Sequence, residues 1–510
     1  MKSSPRGQMP PRRRTPSSRP CGDHAVRPRR TACNSAASPK PRSSAAPRNL
    51  CTRFALGITI LVLSAAPLPA QDTRNVVEPH IPPSCAVLDA HLSAPHGRLS
   101  PSDEQKLDTA RIQSALDTCA AGHAVELGGS PSANAFLAGP LQLRPGVTLL
   151  VDAGVTLFAS RDPRLYDVTP GSCGVVDNHG HGCKPLILAD HAPGSAIMGD
   201  GVIDGRGGDT LLNRNQSWWD LAHIAKITSR YQNCFRLVIA RHSGNFTLYR
   251  ITLRNSPNFH VSVEQTDGFT AWGVRIDTPR TARNTDGIDP SSSTNVSILY
   301  SWISDGDDDV AIKAGSGGPS THITVAHDHF YFGHGMSIGS ETNGGVSAVR
   351  VDDLTIDGAD NGIRIKSDPS RGGLVRDVSY DDICMRGVKN PILLTPAYSA
   401  ATGSLLPEYR DIALRNVNIL TPGRVTIDGL NADHMLEMTL DNVFANGLQP
   451  SGMHAAFADI TVGPGAGNLI PFGPDVHITR APGSHPGTPL SCRGRFAPFP
   501  SDAASPAAKP

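Results

Sequence analysis

Phe246-Thr-Leu-Tyr-Arg-Ile-Thr-Leu253, Phe269-Thr-Ala-Trp-Gly-Val-Arg-Ile276 and Val296-Ser-Ile-Leu-Tyr-Ser-Trp-Ile303 are three copies of one eight-residue template. Five more copies begin at Ile323, Val349, Val378, Ile412 and Met438. Apolar residues hold the first and third positions, and usually the sixth and eighth. The starts are 23, 27, 27, 26, 29, 34 and 26 residues apart. Alternation of this kind reads as a half-buried strand. A near-constant period of this length marks a solenoid, whose short units bury their apolar faces only by stacking. The units contain no helical pattern, which argues against leucine-rich and ankyrin arrays. A β-propeller would need about 40 residues per repeat. The expectation is an all-β, single-stranded parallel β-helix.

The rest of the chain fits around that core. Asp108-Thr-Ala-Arg-Ile-Gln-Ser-Ala-Leu-Asp117 puts Ile112, Ala115 and Leu116 on one face, with Asp108 as N-cap. It reads as a short helix closing the N-terminal end of the solenoid. Aromatics are only 5% of the chain, against 50 Gly and 43 Pro, which suits many short strands and turns. Residues 1–53 hold 13 Lys/Arg and one acid, Asp23. An apolar run from Phe54 to Ser64 follows, then Ala-Ala-Pro-Leu-Pro-Ala70. A basic flank, a short apolar stretch and small residues make a secretory signal peptide. The reading is therefore a leader plus signal at 1–70, a β-helix domain at 71–490, and a loose Pro/Ala-rich tail at 491–510. The mature chain is secreted or periplasmic, with no membrane association after cleavage.

Removing the leader leaves 34 Lys/Arg against 45 Asp/Glu, a net charge near −11. Such a protein is a poor nonspecific binder of nucleic acid. A polyanionic ligand would need locally placed cations. Seven cysteines remain. Cys173 with Cys183, and Cys85 with Cys119, read as disulfides, and the odd total leaves at least one thiol free. Their spacing does not resemble a zinc site.

Between the repeated strands lie polar clusters that stacking does not require: Asn284-Thr-Asp-Gly-Ile-Asp289, Gly306-Asp-Asp-Asp-Val-Ala-Ile-Lys313, Gly333-His-Gly335, Arg364-Ile-Lys366, and Tyr398. Asp286 to Asp307 is 21 residues, Asp307 to His334 is 27, His334 to Arg364 is 30, and Lys366 to Tyr398 is 32. Each step is about one coil, so residues on neighbouring coils should stand about 4.8 Å apart. Asp286, Asp307, Asp308, His334, Arg364, Lys366 and Tyr398 should then converge on one outer face. Carboxylates packed together raise the pKa of at least one of them. The result is an acid beside ionised carboxylates, the requirement of glycosidic hydrolysis. Asp305 and Asp309 read as a solvated edge, although strand alternation would put Asp309 on the same side as Asp307.

Asn-Thr-Asp, Gly-Asp-Asp, Gly-His-Gly and Arg-Ile-Lys, in this order and at these separations, resemble the signature of family 28 glycoside hydrolases. The resemblance covers roughly residues 100–480. It is closer to bacterial members, as in Asn255-Ser-Pro-Asn-Phe-His260 and Gly339-Ser-Glu-Thr-Asn343. It implies a right-handed parallel β-helix, hydrolysis of polygalacturonate with inversion, no metal and no cofactor. By motif, Asp307 matches the proton donor, and Asp286 with Asp308 the pair that activates water. His334 matches the support of the donor's protonation, and Arg364 and Lys366 the binders of the sugar carboxylate. Tyr398 matches a substrate-contacting tyrosine. The family commonly has Cys after Gly-Asp-Asp, where this chain has Asp309. The expected partner is a pectic polysaccharide, cut internally by a monomer. Exo action, a rhamnogalacturonan hydrolase or pectate lyase on the same fold, and a non-enzymatic carbohydrate-binding β-helix are the alternatives.

Overall fold

The computed structural model describes residues 71–500, so the leader and signal peptide read at 1–70 lie outside the described residues. Nearly all regular structure is parallel strand, gathered into one sheet of 22 strands and another of 11. The repeats stack as their period requires. The first position of each copy pairs with the next in one line: Phe246, Phe269, Val296, Ile323, Val349, Val378, Ile412 and Met438, then Ile460 one coil beyond. These side chains are buried in one continuous apolar core. A parallel β-helix is the result.

The eight-residue template is not one straight strand. Its fifth residue has positive φ in every copy: Arg250, Gly273, Tyr300, His327, Asp353, Asp382, Asn416 and Asn442. The chain bends there, which is why the apolar positions skip from third to sixth. One face stays inward on both sides of the bend.

Helix α1, Thr109–Thr118, seals the N-terminal end with Ile112 and Leu116 fully buried. Asp108 stands at its N-cap but makes no capping hydrogen bond. Its carboxylate instead accepts from Leu137 N–H and pairs with Arg111, so it ties the helix to the first coils. A second helix, α2 (Trp218–Ile227), was not read from the sequence. Its signal is the Ser217/Asp220 capping box.

The disulfides Cys85–Cys119 and Cys173–Cys183 form as expected. A third joins Cys384 to Cys492, and among the described residues the free thiol is the buried Cys234. This corrects the tail. Residues 491–500 are fastened rather than loose, because Cys492 is bonded to the strand Leu374–Arg386 and Tyr331 donates to Ala497 O.

Candidate active site

Six strands place the polar clusters: β1 (Ile288–Ser291), β2 (Trp302–Asp305), β3 (Val310–Ile312), β4 (Met336–Ile338), β5 (Asn361–Lys366) and β6 (Asn390–Thr395). All but β2 belong to the 11-stranded sheet. Ile288 pairs with Val310, and Val310 with Met336. Asp286, Asp308 and His334 each lie two residues before one of these. Register therefore puts them at the same place on three successive coils, with Asp307 beside Asp308. Ser337 pairs with Arg364 on the following coil.

The side chains converge accordingly. His334 Nδ1 stands 3.0 Å from Asp307 Oδ1 and 3.6 Å from Asp308 Oδ1. Asp308 is buried between two cations, bonded to Arg364 and, at 2.7 Å, to Lys366 Nζ. Ser337 Oγ donates to Asp308 and accepts from Arg364 Nε. Lys366 Nζ also lies 5.0 Å from the centre of the exposed Tyr398 ring. Asp286, on the neighbouring coil, feels the charges of Asp307 and Lys366 and is paired with Lys313, whose Nζ is 3.3 Å from Asp286 and 2.5 Å from Asp289. All seven residues expected from the sequence are thus in one cluster.

Lys313 and Asp289 lay inside the quoted motifs but had no role assigned. The register shows their part, because Ser291 bridges to Lys313 across one coil. Two further residues depart from expectation. Asp305 and Asp309 are fully buried, not a solvated edge. The chain turns between β2 and β3, so strand alternation does not govern residues 306–309, and Asp309 points inward while Asp307 keeps some exposure.

The electrostatics follow from this packing. Burial raises Asp286, and the charge of Asp289 adds to it against the pull of Lys313, pushing it up to about 8. One ammonium serves two buried acids and sits nearer Asp289, which favours the proton on Asp286, although burial raises Asp289 too. Burial also works against the Asp307 anion. The hydrogen bond and charge of His334 outweigh it, with Lys366 and Arg364 behind, and bring Asp307 down to about 2. Burial lowers His334, but the bond to Asp307 and its charge turn the balance upward. The shifts favour an imidazolium–carboxylate pair at His334 and Asp307, and the neutral form of Asp286. Asp307, Asp308 and His334 present ligand atoms within 4.8 Å of one another. Two cations and an imidazole already satisfy these carboxylates, so they are not a free donor set for a metal.

The groove continues beyond the carboxylates. Asn284 N–H donates to Asp307 Oδ2 and lines a cavity of about 720 Å³ with Lys226, Arg230, Arg236 and Arg283. Past the other end, Lys389, Asn390 and Arg424 line a cavity of about 610 Å³ at the starts of later strands.

A parallel β-helix with a carboxylate–imidazole cluster on its face, flanked by cations, has the fold and site of a glycoside hydrolase that handles acidic sugars. Residues 101–457 match Glycosyl hydrolases family 28, and the chain belongs to that family. It is 46% identical over 391 residues to an endo-polygalacturonase of Pectobacterium carotovorum subsp. carotovorum, covering 76% of this chain and 94% of that one. A polygalacturonase of Ralstonia nicotianae is 43% identical over 457 residues, covering 78% and 86%. The solved polygalacturonase of Erwinia carotovora ssp. carotovora superposes with a TM-score of 0.70 at 45% identity, over 76% of this chain and all of that one.

Proposed function

We propose that this glycoside hydrolase cleaves α-1,4-galacturonosyl linkages within polygalacturonate, acting internally and with inversion. One observation carries the reading: Asp286, Asp308 and His334 share a register on three coils, with Arg364 and Lys366 on the next. The order of events follows from the contacts. A galacturonate carboxylate engages Arg364 and Lys366 and sets the sugar against Tyr398. That anion neutralises the cations which hold Asp307 low, so the proton shared with His334 moves toward Asp307. Asp307 gives it to the leaving oxygen as the glycosidic C–O bond breaks. Water, held by Asp286 and Asp308, adds to the anomeric carbon from the other face and loses its proton to a carboxylate.

Internal cutting is supported by the cation-lined space on both sides of the carboxylates, which suits a polyanion running through, and by the Pectobacterium relative's name. Three disulfides suit an oxidising compartment, which supports a secreted or periplasmic setting. Among the described residues no helix is long and apolar enough to cross a membrane.

A second reading rests on the proton carried by Asp286, which would make Asp286 the acid. The experiment for the activity is a reducing-sugar assay on polygalacturonate with the wild type and Asp307→Asn. The variant should lose about 10²-fold or more in rate. Early products should be mixed oligomers of inverted anomeric configuration. Wild-type turnover by the variant removes Asp307 from the donor role, and only monomer or dimer at early times removes internal cutting.

A further inference from the structure

Two buried acids beneath the site are left unused by this mechanism. Asp305 ends β2 and Asp309 precedes β3, and both are fully buried. Each spends one carboxylate oxygen on a turn that carries a functional side chain. Asp305 Oδ1 accepts from Asp307 N–H at 2.9 Å. Asp309 Oδ2 accepts from Gly335 N–H at 2.7 Å, inside the Gly333-His334-Gly335 turn. The turn is shaped around that carboxylate: Gly333 and Gly335 both have positive φ, and a Cβ on Gly333 would fall 2.7 Å from Asp309 Oδ2. The second oxygens, Asp305 Oδ2 and Asp309 Oδ1, are buried and have no partner.

Among the described residues no lysine or arginine is bonded to either acid, and the only cationic group that acts on Asp309 is His334. The charged groups facing the two acids are Asp307 and Asp308 from their own turn, Asp286 from the coil before, and His334 from the coil after. Lys313 is engaged by Asp286 and Asp289, and Arg364 and Lys366 by Asp308. His334 is bonded to Asp307. Two unpaired carboxylates in such a place would each carry a heavy desolvation penalty and would repel each other. A single proton on either acid would remove one of the two charges.

We propose that Asp305 and Asp309 are positioning residues, one fixing the turn of Asp307 and the other the turn of His334, and that at least one of them does so as a protonated acid. The inference rests on the functional reading above for what the turns do, but not for the existence of the pair. Burial, with the charge of Asp309, raises Asp305 well above the ordinary carboxylate range, and burial raises Asp309 likewise. The sign follows. Acids raised in the folded state favour folding below their unfolded pKa, and that contribution is lost as the pH climbs toward the folded value.

The experiment uses the full mature chain as wild type, Asp309→Asn and Asp309→Ala. The melting temperature is followed from acid to alkaline pH, and infrared spectra are taken at neutral pH, where exposed acids are ionised. An asparagine can accept from Gly335 N–H as the carboxylate does, without a charge or a titrating proton. Asp309→Asn should therefore keep kcat within about threefold and flatten the fall of melting temperature with pH. It or Asp305→Asn should also remove one protonated-carboxyl band. Asp309→Ala leaves Gly335 N–H unpaired and should lose at least tenfold in kcat, with KM little changed. A purely structural role would lower the melting temperature at every pH without changing its slope, and that outcome overturns the proposal. An unaltered infrared spectrum in both asparagine variants overturns it too. Should Asp309→Ala fail to fold, Asp305→Asn repeats the slope and infrared readouts from the other partner. Both are read without substrate, so they stand apart from the activity assay.

Discussion

Asp289 decides which role Asp286 plays. It is buried, shares Lys313 with Asp286, and its charge helps raise Asp286 to about 8. Replacing it by asparagine removes that repulsion, so Asp286 should ionise about one pH unit lower. If Asp286 works as the ionised base, the acid limb of kcat/KM for Asp289→Asn moves to lower pH and the alkaline limb stays. If Asp286 is the acid, the alkaline limb moves down instead. A pH profile with neither limb displaced takes Asp286 out of the proton chemistry. Lys366 supports a second prediction at this scale. Its ammonium meets Asp308 and stands over Tyr398, where the sugar carboxylate is proposed to bind. A charge-assisted hydrogen bond is worth about 1.5–3 kcal/mol, so Lys366→Gln should raise KM by roughly 10–100-fold. An unchanged KM would place the carboxylate elsewhere. These side chains were legible because motif order and coil-length spacing announce convergence without coordinates. The burial of Asp305 and Asp309 was not, since a run of acids looks solvated until the turn between β2 and β3 is known to aim them inward. The resting place of the proton was hidden for a related reason, because it depends on which acid Lys313 approaches more closely.

The repeated element carries a device that the apolar pattern hides in plain view. Positions one, three, six and eight are apolar, and a straight strand would want one, three, five and seven. The extra residue is the left-handed fifth position, where Asp353, Asp382, Asn416 and Asn442 stand on later coils and Gly273 on an early one. Asn, Asp and Gly are the types that visit this region at least cost. Asn416 also links its neighbours, donating to Asp382 and accepting from Asn442. Asn416→Val forces a β-branched residue to φ of about +50° and breaks both bonds. It should cost about 2–3 kcal/mol, whereas Asn416→Gly should lose only the side-chain bonds, about 1 kcal/mol. Equal losses in thermal or denaturant unfolding would mean that backbone conformation is not the constraint. The period was readable because stacking needs one apolar face per coil. The bend was missed because Tyr300, His327 and Arg250 occupy the same position in other coils, and none of them advertises positive φ.

Both ends of the described chain run over the coils that carry the site. Asp72 N–H donates to Thr324 Oγ1, and its carboxylate accepts from Ser297. Arg74 reaches Phe269 O, and Glu78 takes the Tyr249 hydroxyl. These contacts fall on four consecutive coils. From the other end Cys492 is bonded to Cys384, Arg495 meets Asp353, and Phe499 packs on Tyr331, so two more coils are tied and the coil of Thr324 is held a second time. Nearest-neighbour stacking alone would let a solenoid fray coil by coil. The straps instead couple coils that do not touch. The active-site cluster spans four coil junctions, and its distances hold only while those coils stay stacked, so the straps serve geometry as well as stability. The Cys384–Cys492 bond closes 108 residues, for which chain entropy alone gives about 4–5 kcal/mol, and measured losses run about 2–5 kcal/mol. Cys492→Ser should lower the melting temperature by a few degrees and shorten the half-life of activity on heating more than Cys173→Ser, whose loop spans 10 residues. kcat at low temperature should be unchanged in Cys492→Ser, because that bond lies away from the groove, whereas Cys173–Cys183 closes the loop whose Asn178, His179, Gly180 and His181 line the 720 Å³ cavity. Equal heat sensitivity of the two variants would show that the long closure does not hold the catalytic coils together.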